Sequence, residues 1–202
     1  YNGNKLWSYD PETYYYHSDY SGKNVRIIAL DAEDIDSDGD IETVALIHDS
    51  SPDHSSQNQV VDCIKKDGSG RKWRWGPTTA NAAAHYLLLA RLDQSSNNYY
   101  VIFTDASQLW CLKHDGTEQW HNTDAWDSDE YMAVNVNESS DNLEVLSCGK
   151  ENFCVTNLDG SMYWKYNTGH TQEFDVADVN NDGHYEIGVF NNYDNHLFIF
   201  SH

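Results

Sequence analysis

Short apolar runs alternate with polar turn segments along the whole chain, and a shared signal marks four of the turns. Each of these turns holds an Asp-Gly or Asn-Gly pair, and a tryptophan follows the glycine by four or five residues. Because such pairs supply the positive φ angles of tight hairpins, each signal predicts a strand, a turn and a second strand. The glycine and tryptophan pairs are Gly3 and Trp7, Gly68 and Trp73, Gly116 and Trp120, and Gly160 and Trp164.

Two more strand-like runs lie upstream of each hairpin, so the repeating unit has four strands. An antiparallel meander of roughly 40 to 60 residues is typical of a β-propeller blade. Four copies predict an all-β fold, a four-bladed β-propeller of four-stranded antiparallel blades, with residues 1–202 as a single domain. The repeats span approximately residues 25–75, 85–122, 130–167, and 173–202 together with 1–10.

The two ends of the chain fit together as one repeat. Residues 198–202 followed by residues 1–3 align without a gap with residues 153–160. We therefore expect the N-terminal strand around Trp7 to be the fourth strand of the last blade. This strand either closes the ring within one molecule or joins a neighbouring copy of the same sequence.

The first and last repeats carry the same acidic loop between their first two strands, with the pattern D-x-[DN]-x-D-G-x-x-E. Alternate residues of such a loop converge their oxygens on one point, and Ca²⁺ prefers about six to eight oxygen ligands. The sequence therefore predicts two calcium sites, each with one backbone carbonyl, from Asp40 or His184. The predicted ligand residues are Asp34, Asp36, Asp38, Asp40 and Glu42 in the first loop and Asp178, Asn180, Asp182, His184 and Glu186 in the second.

Two other interpretations of these loops are weaker. An EF-hand needs a glutamate at position twelve and flanking helices, whereas Ala45 and Val189 stand at that position here. A solvated acidic turn is the other alternative, and two copies in equivalent places disfavour it. In the second repeat Arg91 replaces the first ligand, which predicts a metal-free loop, and the third repeat's loop from Asn135 onward is longer and more neutral.

The paired acidic loops resemble the FG-GAP/VCBS type of propeller repeat, which occurs in integrin α-subunits and in secreted microbial lectins and polysaccharide lyases. The Asp-Gly hairpins followed by tryptophan resemble the related quinoprotein-like (PQQ-type) repeat. The resemblance covers nearly the whole chain and implies a propeller fold and bound calcium. It leaves the function open among adhesion, sugar binding and scaffolding, because function lies in sites carried on a fold.

Composition limits the partners. The chain has 33 acidic and 12 basic residues and a net charge of −21, which argues against nucleic acid, whose phosphates require a basic surface. No run approaches the roughly 18 apolar residues of a membrane helix, so we expect no membrane insertion. The polar, aromatic-rich composition favours an extracellular or cell-surface location, with copies of the chain, surface proteins or glycans as partners.

The four cysteines are Cys63, Cys111, Cys148 and Cys154, and no C-x-x-C pair is present. A zinc site is therefore improbable, and an even number of cysteines outside the cell favours disulfides. Among three possible connectivities we favour Cys148 with Cys154 and Cys63 with Cys111. Asn137 begins a possible N-glycosylation sequon.

Aromatic residues on the connectors opposite the acidic loops form a possible partner surface. The candidate residues are Tyr14, Tyr15, Tyr16, His121 and Trp126. Aromatic rings beside polar groups suit sugar or protein contacts, and the alternative is that these rings only pack under the long connectors. The sequence contains no H-E-x-x-H, G-x-S-x-G or Walker motif, so we expect no enzymatic activity.

The resulting hypothesis is a non-catalytic, calcium-stabilised extracellular propeller that acts as a structural or adhesive building block. Such a block could be one unit of a tandem or filamentous surface assembly. A carbohydrate-binding propeller is the first alternative. An excised part of a polysaccharide lyase is the second, and the scarcity of basic residues disfavours its catalytic cleft.

Overall fold

The computed structural model describes residues 3–11, 24–50, 57–79, 86–105, 108–125, 130–137, 140–149, 151–169 and 171–201. Within these residues fifteen strands form four antiparallel sheets. The first sheet contains β1 (Asn24–Glu33), β2 (Glu42–Ser50), β3 (Gln57–Ile64) and β4 (Arg71–Thr79), and the second contains β5 (Leu87–Ala90), β6 (Tyr100–Asp105), β7 (Gln108–Leu112) and β8 (Glu118–Asn122). The third contains β9 (Glu130–Val134), β10 (Glu144–Cys148), β11 (Asn152–Thr156) and β12 (Met162–Asn167), and the fourth contains β13 (Thr171–Ala177), β14 (Glu186–Asn191) and β15 (His196–Phe200).

Each sheet is a meander in chain order, so sequence neighbours are also hydrogen-bonded neighbours. The middle strands are apolar on both faces, because successive side chains of a strand point to opposite sides of the sheet and both sides are covered here. In β2, for example, Val44 and Leu46 belong to one core, and Ala45 and Ile47 belong to another. The predicted strands are therefore confirmed in the first three repeats, and three of the four predicted strands are confirmed in the fourth.

Hydrophobic cores lie between consecutive sheets. One core joins the first and second sheets, a second joins the second and third, and a third joins the third and fourth. Phe103 is central to the first of these cores, Cys111 to the second and Phe153 to the third, and all three are fully buried. The leading strands β1, β5, β9 and β13 also contact one another in that order. This arrangement of antiparallel sheets is consistent with a propeller-like fold.

The tryptophans of the repeat lie between the sheets, over the turn glycines. Trp73 in the first sheet covers Gly116 in the second, and Trp120 in the second sheet covers Gly160 in the third. A Cβ atom on Gly116 or Gly160 would lie 2.7 or 2.6 Å from the tryptophan, and both glycines have positive φ, at 82° and 85°. Only glycine fits such a position, because it needs both the left-handed backbone and the missing side chain. We call this contact the Trp-Gly seat.

The N-terminal segment differs from its prediction. The fourth sheet has three strands, and residues 3–11 form no strand in the described structure. Trp7 instead covers Gly68 of the first sheet, and Tyr9 packs on the same sheet. The Tyr9 hydroxyl donates a hydrogen bond of 2.5 Å to the buried Asp62, which also accepts from Arg74. Burial and then Asp62 raise the pKa of Tyr9 well above its usual value.

The predicted disulfides are wrong for this structure, in which all four cysteines are buried and none forms a disulfide. Cys148 belongs to the core shared with the fourth sheet, whereas Cys154 belongs to the core shared with the second sheet. Cys63 and Cys111 likewise lie in different cores. Thiols on opposite faces of a sheet cannot meet the geometry of a disulfide without backbone movement. Burial raises the pKa of Cys63 and of Cys154 to about 12.

The Trp-Gly seat leads to a stability prediction for Gly116→Ala. The new Cβ atom would overlap the Trp73 ring, and alanine would be held at a φ of 82°. We expect the free energy of unfolding in urea to fall by about 2 to 4 kcal/mol, of which backbone strain supplies about 1 to 2.

Gly39→Ala is the matched control, measured in chelator so that metal binding does not contribute. Gly39 has a φ of 93° and no atom within 4 Å of a built Cβ, so only the backbone strain of about 1 to 2 kcal/mol applies. Equal losses in the two variants would show that Trp73 contributes nothing to the requirement for glycine.

Candidate metal centre

The first acidic loop connects β1 to β2 and brings four carboxylates together. One oxygen from each of Asp34, Asp36, Asp38 and Glu42 lies within 4.8 Å of the other three. Glu42 is buried, and Asp38 is the most exposed of the four. Four hard oxygen donors at this spacing form a ligand set that suits a metal ion.

Backbone hydrogen bonds hold the loop in this shape. Asp34 accepts from the N–H groups of Asp38 (3.0 Å) and Gly39 (2.9 Å). Ser37 and Gly39 have positive φ angles of 60° and 93°, which reverse the chain within the loop. The Asp40 N–H donates to Asp38, and this bond, followed by the Lys72 ammonium, holds the pKa of Asp38 below its usual value.

The second acidic loop, between β13 and β14, follows the same path. Asp178 accepts from the N–H groups of Asp182 (3.1 Å) and Gly183 (2.9 Å), as Asp34 does in the first loop. Asn181 and Gly183 have φ angles of 61° and 94°, which match those of the first loop. Glu186 accepts from the Val179 N–H at 2.8 Å. The two loops therefore share one backbone design, as their common pattern predicts.

A lysine side chain contacts the carboxylates of the first loop. The Lys72 ammonium lies 2.8 Å from Asp36, 2.9 Å from Glu42 and 3.0 Å from Asp38. Burial opposes the charged amine, but hydrogen bonds to Asp36, Glu42 and Asp38 outweigh it and raise the pKa of Lys72 above its usual value. A metal ion and this ammonium would use the same carboxylates, so they would compete for the loop.

The second loop has an amide where the first has a cation contact. The Asn180 amide donates to Asp182 and to Glu186, at 2.9 Å in each case. The four-carboxylate convergence of the first loop is not repeated here, since Asn180 stands in place of Asp36.

The remaining predicted ligands are Asp40 and His184. The Asp40 carboxylate pairs with Lys66 and lies outside the carboxylate cluster. The His184 N–H donates to Asp182. Their expected contribution was a backbone carbonyl, and that role stays a prediction.

One buried oxygen shows that the first loop fits a cation. Asp36 Oδ1 is buried and has no hydrogen-bond partner in the described part of the chain. A buried carboxylate oxygen without a partner loses its hydration with no compensation. A hard cation between the four carboxylates would supply that missing partner, so the residues present fit a metal ion such as calcium.

The two middle loops have lost the arrangement. The Arg91 guanidinium lies over the Tyr99 ring, 5.8 Å from its centre. In the third sheet the Glu144 carboxylate accepts from the N–H groups of Val136 and Asn137, both at 3.0 Å, and burial raises its pKa. Within the described ranges, neither loop brings three or more metal-ligating side chains together.

The predicted partner surface falls mostly outside the described residues, which include none of Tyr14, Tyr15, Tyr16 and Trp126. His121 is described, and its Nδ1 atom lies 2.9 Å from Glu118 while its ring packs 4.8 Å from Trp110. A partner-binding role for His121 stays a prediction.

Two further predictions concern glycosylation at Asn137 and the absence of a membrane helix. Asn137 lies at the start of the third loop, but the next two residues of its sequon lie outside the described ranges, so glycosylation stays a prediction. None of the described segments forms a helix with the length and apolar character needed to cross a membrane.

Sequence reasoning did not find Lys72. It directly precedes Trp73 in β4, whereas the carboxylates that it contacts lie in the loop before β2. Only the position of β4 within the first sheet brings its side chain to that loop. The one available signal was the scarcity of lysine in so acidic a sequence, which makes each lysine a candidate partner for the acidic loops.

Comparison with known proteins yields structural likenesses only. No protein-family model matches the sequence, and no curated protein matches it. The biofilm matrix protein Bap1 of V. cholerae superposes with a TM-score of 0.56 at 16% identity, over 86% of this chain and 29% of that one. BBS1N, solved in complex with ARL6DN, superposes with a TM-score of 0.53 at 9% identity, over 87% of this chain and 53% of that one. The chain thus spans about a third and about half of these neighbours, and the likeness shows the fold alone, an all-β, propeller-like arrangement.

Proposed function

We propose that this chain is a non-catalytic, calcium-braced structural unit that acts outside the cell, in adhesion or in a surface assembly. The observation that carries the proposal is the convergence of Asp34, Asp36, Asp38 and Glu42 within 4.8 Å, in a loop whose backbone design recurs in the fourth sheet. Such loops brace strands; they do not activate a substrate.

Calcium fits the loops better than smaller or softer metals. All candidate side-chain ligands of the first loop are carboxylates, and carboxylate oxygens select Ca²⁺, Mg²⁺ or Mn²⁺ over zinc and copper. An irregular loop of alternating ligands suits the flexible coordination of calcium, whereas Mg²⁺ requires near-ideal octahedral geometry. Extracellular calcium would also neutralise part of the −21 net charge, which otherwise repels itself within the folded chain.

The external location has two supports. Bap1, one of the structural neighbours, is a biofilm matrix protein, and a related architecture suits a structural or adhesive role here. The cysteines are compatible with this location, because all four are buried and burial raises the pKa of Cys63 and of Cys154, which keeps those two thiols unreactive. An acidic surface also disfavours nucleic acid as a partner.

Calcium removal tests the proposal. We expect chelation to lower the melting temperature by about 5 to 15 °C, since an ion that binds only the folded chain stabilises it by mass action. The double variant Asp36→Ala/Asp182→Ala should lose this difference between calcium and chelator. Scanning calorimetry in both conditions measures it.

The matched control for that experiment is Asp67→Ala/Asp115→Ala. Both aspartates lie in exposed hairpin turns outside the acidic loops, where they accept hydrogen bonds from the N–H groups of Ser69 and Thr117. Their loss removes two negative charges, as the loss of Asp36 and Asp182 does. The control should keep the full calcium response. A wild-type melting temperature that ignores chelation would refute the calcium part of the proposal.

Replacing Lys72 with methionine tests the competition within the first loop. Removal of the ammonium leaves Asp36, Asp38 and Glu42 available to the metal, so we expect calcium affinity at this loop to rise about tenfold. Titration calorimetry measures the change. Lys66→Met removes the same charge from Asp40 outside the cluster, and it should change the affinity much less. A weaker affinity in Lys72→Met would mean that the lysine holds the loop in its binding shape.

The location is tested on intact cells of the source organism. An antibody against the folded chain should label unpermeabilised cells or their matrix, and protease added outside should remove the signal. Labelling that appears only after permeabilisation would contradict an extracellular role.

A further inference from the structure

The Trp-Gly seat follows a strict order. The tryptophan always comes from the sheet before the glycine: Trp73 of the first sheet covers Gly116 of the second, and Trp120 of the second covers Gly160 of the third. Trp7 covers Gly68 of the first sheet in the same manner. By this order Trp7 belongs to the fourth strand of a sheet that would precede the first.

For one Trp-Gly seat, neither the tryptophan nor the glycine contacts its counterpart in the described structure. Trp164 lies in β12, the fourth strand of the third sheet, and its glycine would belong to the fourth sheet, which has only three strands. Gly3 has the φ of a seat glycine, 73°, and no atom within 4 Å of a built Cβ. The indole N–H groups of Trp73 and Trp120 donate to carbonyl oxygens at 2.7 and 3.0 Å, whereas that of Trp164 has no such bond in the described structure.

The space beside Trp164 is shaped for such a turn. A cavity of about 660 Å³ lies against Trp164, with Val155, Ile187, Ile199 and Phe200 among its lining residues. These side chains come from the third and fourth sheets. The cavity therefore lies between the third and fourth sheets, as the seats of Trp73 and Trp120 lie between the first and second sheets and between the second and third sheets.

The outer side of the fourth sheet is also incomplete. β15 pairs with β14 alone, and its other side, which we call the open edge, has no strand beside it among the described residues. Leu197 and Ile199 of β15 are 65% and 58% exposed. A bare strand edge with apolar side chains is a template for another strand.

Residues 3–10 are the segment that the repeat alignment matches to this edge, but in the described structure they pack on the first sheet. Trp7 in its seat and the Tyr9 hydroxyl on Asp62 fix the segment to the first sheet. The hydrophobic cores connect the sheets in the order one to four, and no described core joins the fourth sheet to the first. Within the described residues, the fourth sheet and the segment that fits its open edge therefore share no hydrophobic core.

We propose that the open edge and Trp164 of one copy bind residues 3–10 of a second copy, so that copies associate head to tail. This inference deepens the proposed structural role by naming the partner, and it does not need the calcium sites. Gly3 of the second copy would fill the seat under Trp164, and its Trp7 strand would pair with β15. Such a contact joins two different surfaces, so it forms a ring if the rotation closes and a filament if it does not. Two copies would supply eight sheets, which is within the range of known propellers.

The third sheet gives the register of the new strand pair. Cys154 of β11 is opposite Lys165 of β12. The gap-free alignment of the repeats places Ile199 at the position of Cys154 and Ser8 at that of Lys165. Ile199 of one copy should therefore face Ser8 of the next, and both side chains are exposed in a single copy.

Crosslinking of mixed single variants tests the proposal. Ser8→Cys and Ile199→Cys are purified separately, mixed at about 0.15 M salt, which screens the net charge, and treated with a short bis-maleimide. Because neither variant carries both new thiols, a covalent dimer forms only between copies, and we expect it as the main product. The native cysteines are buried, and untreated wild type reports their background. Mixing Ser8→Cys with Lys165→Cys is the matched control. Lys165 already pairs with Cys154 of its own sheet, so this mixture should give no dimer.

The mass in solution gives the second measurement. Sedimentation velocity should show species of two or more 23.1 kDa chains. Ile199→Lys should weaken the association tenfold or more, because a lysine would be buried in the new contact. Tyr193→Lys, in the exposed turn before β15, should leave association unchanged.

Two results would overturn the inference. One is an absence of crosslinked dimer in the mixed single variants. The other is a monomer in which Ser8→Cys/Ile199→Cys on one chain crosslinks internally, which would show that each copy closes on its own N-terminal strand. Neither result depends on the calcium response, so the failure of this inference and that of the calcium proposal can be distinguished.

Discussion

The seating of a tryptophan over the turn glycine of the following sheet is the contact on which the rest of the structure depends. It brings the end of one sheet against the hairpin of the next at a distance that no side chain on the glycine would allow, 2.6 to 2.7 Å to a built Cβ. The cores between sheets then fill with the apolar residues of both facing surfaces. Because each seat links only consecutive sheets, the pattern has a direction, and a chain built on it has two different ends.

The two acidic loops lie between the first and second strands of the first and fourth sheets. Their carboxylates add to a chain that is already strongly negative. The groups that contact these carboxylates differ between the two loops. In the first loop Lys72 places an ammonium among Asp36, Asp38 and Glu42, while in the second the Asn180 amide replaces one carboxylate. A metal ion in the first loop would therefore compete with this ammonium for the same carboxylates.

Much of this could be predicted from the sequence. The alternation of apolar runs with Asp-Gly and Asn-Gly turns located the strands of all four sheets, because strand periodicity and turn chemistry are local. The D-x-[DN]-x-D-G-x-x-E pattern identified the loop whose carboxylates converge. The disulfides were wrong because they depend on which face of a sheet each cysteine occupies. Cys148 and Cys154 are close in sequence and lie on opposite faces.

The sequence by itself determined the repeat, the turns and the acidic loops. Each of these follows from the residue types within a few positions of one another. Only the tertiary structure decided where the N-terminal segment lies, which cation contacts the first loop, and which core each thiol enters. Those outcomes depend on contacts between residues far apart in sequence, such as Tyr9 with Asp62 and Lys72 with Glu42, which the packing of sheets brings together.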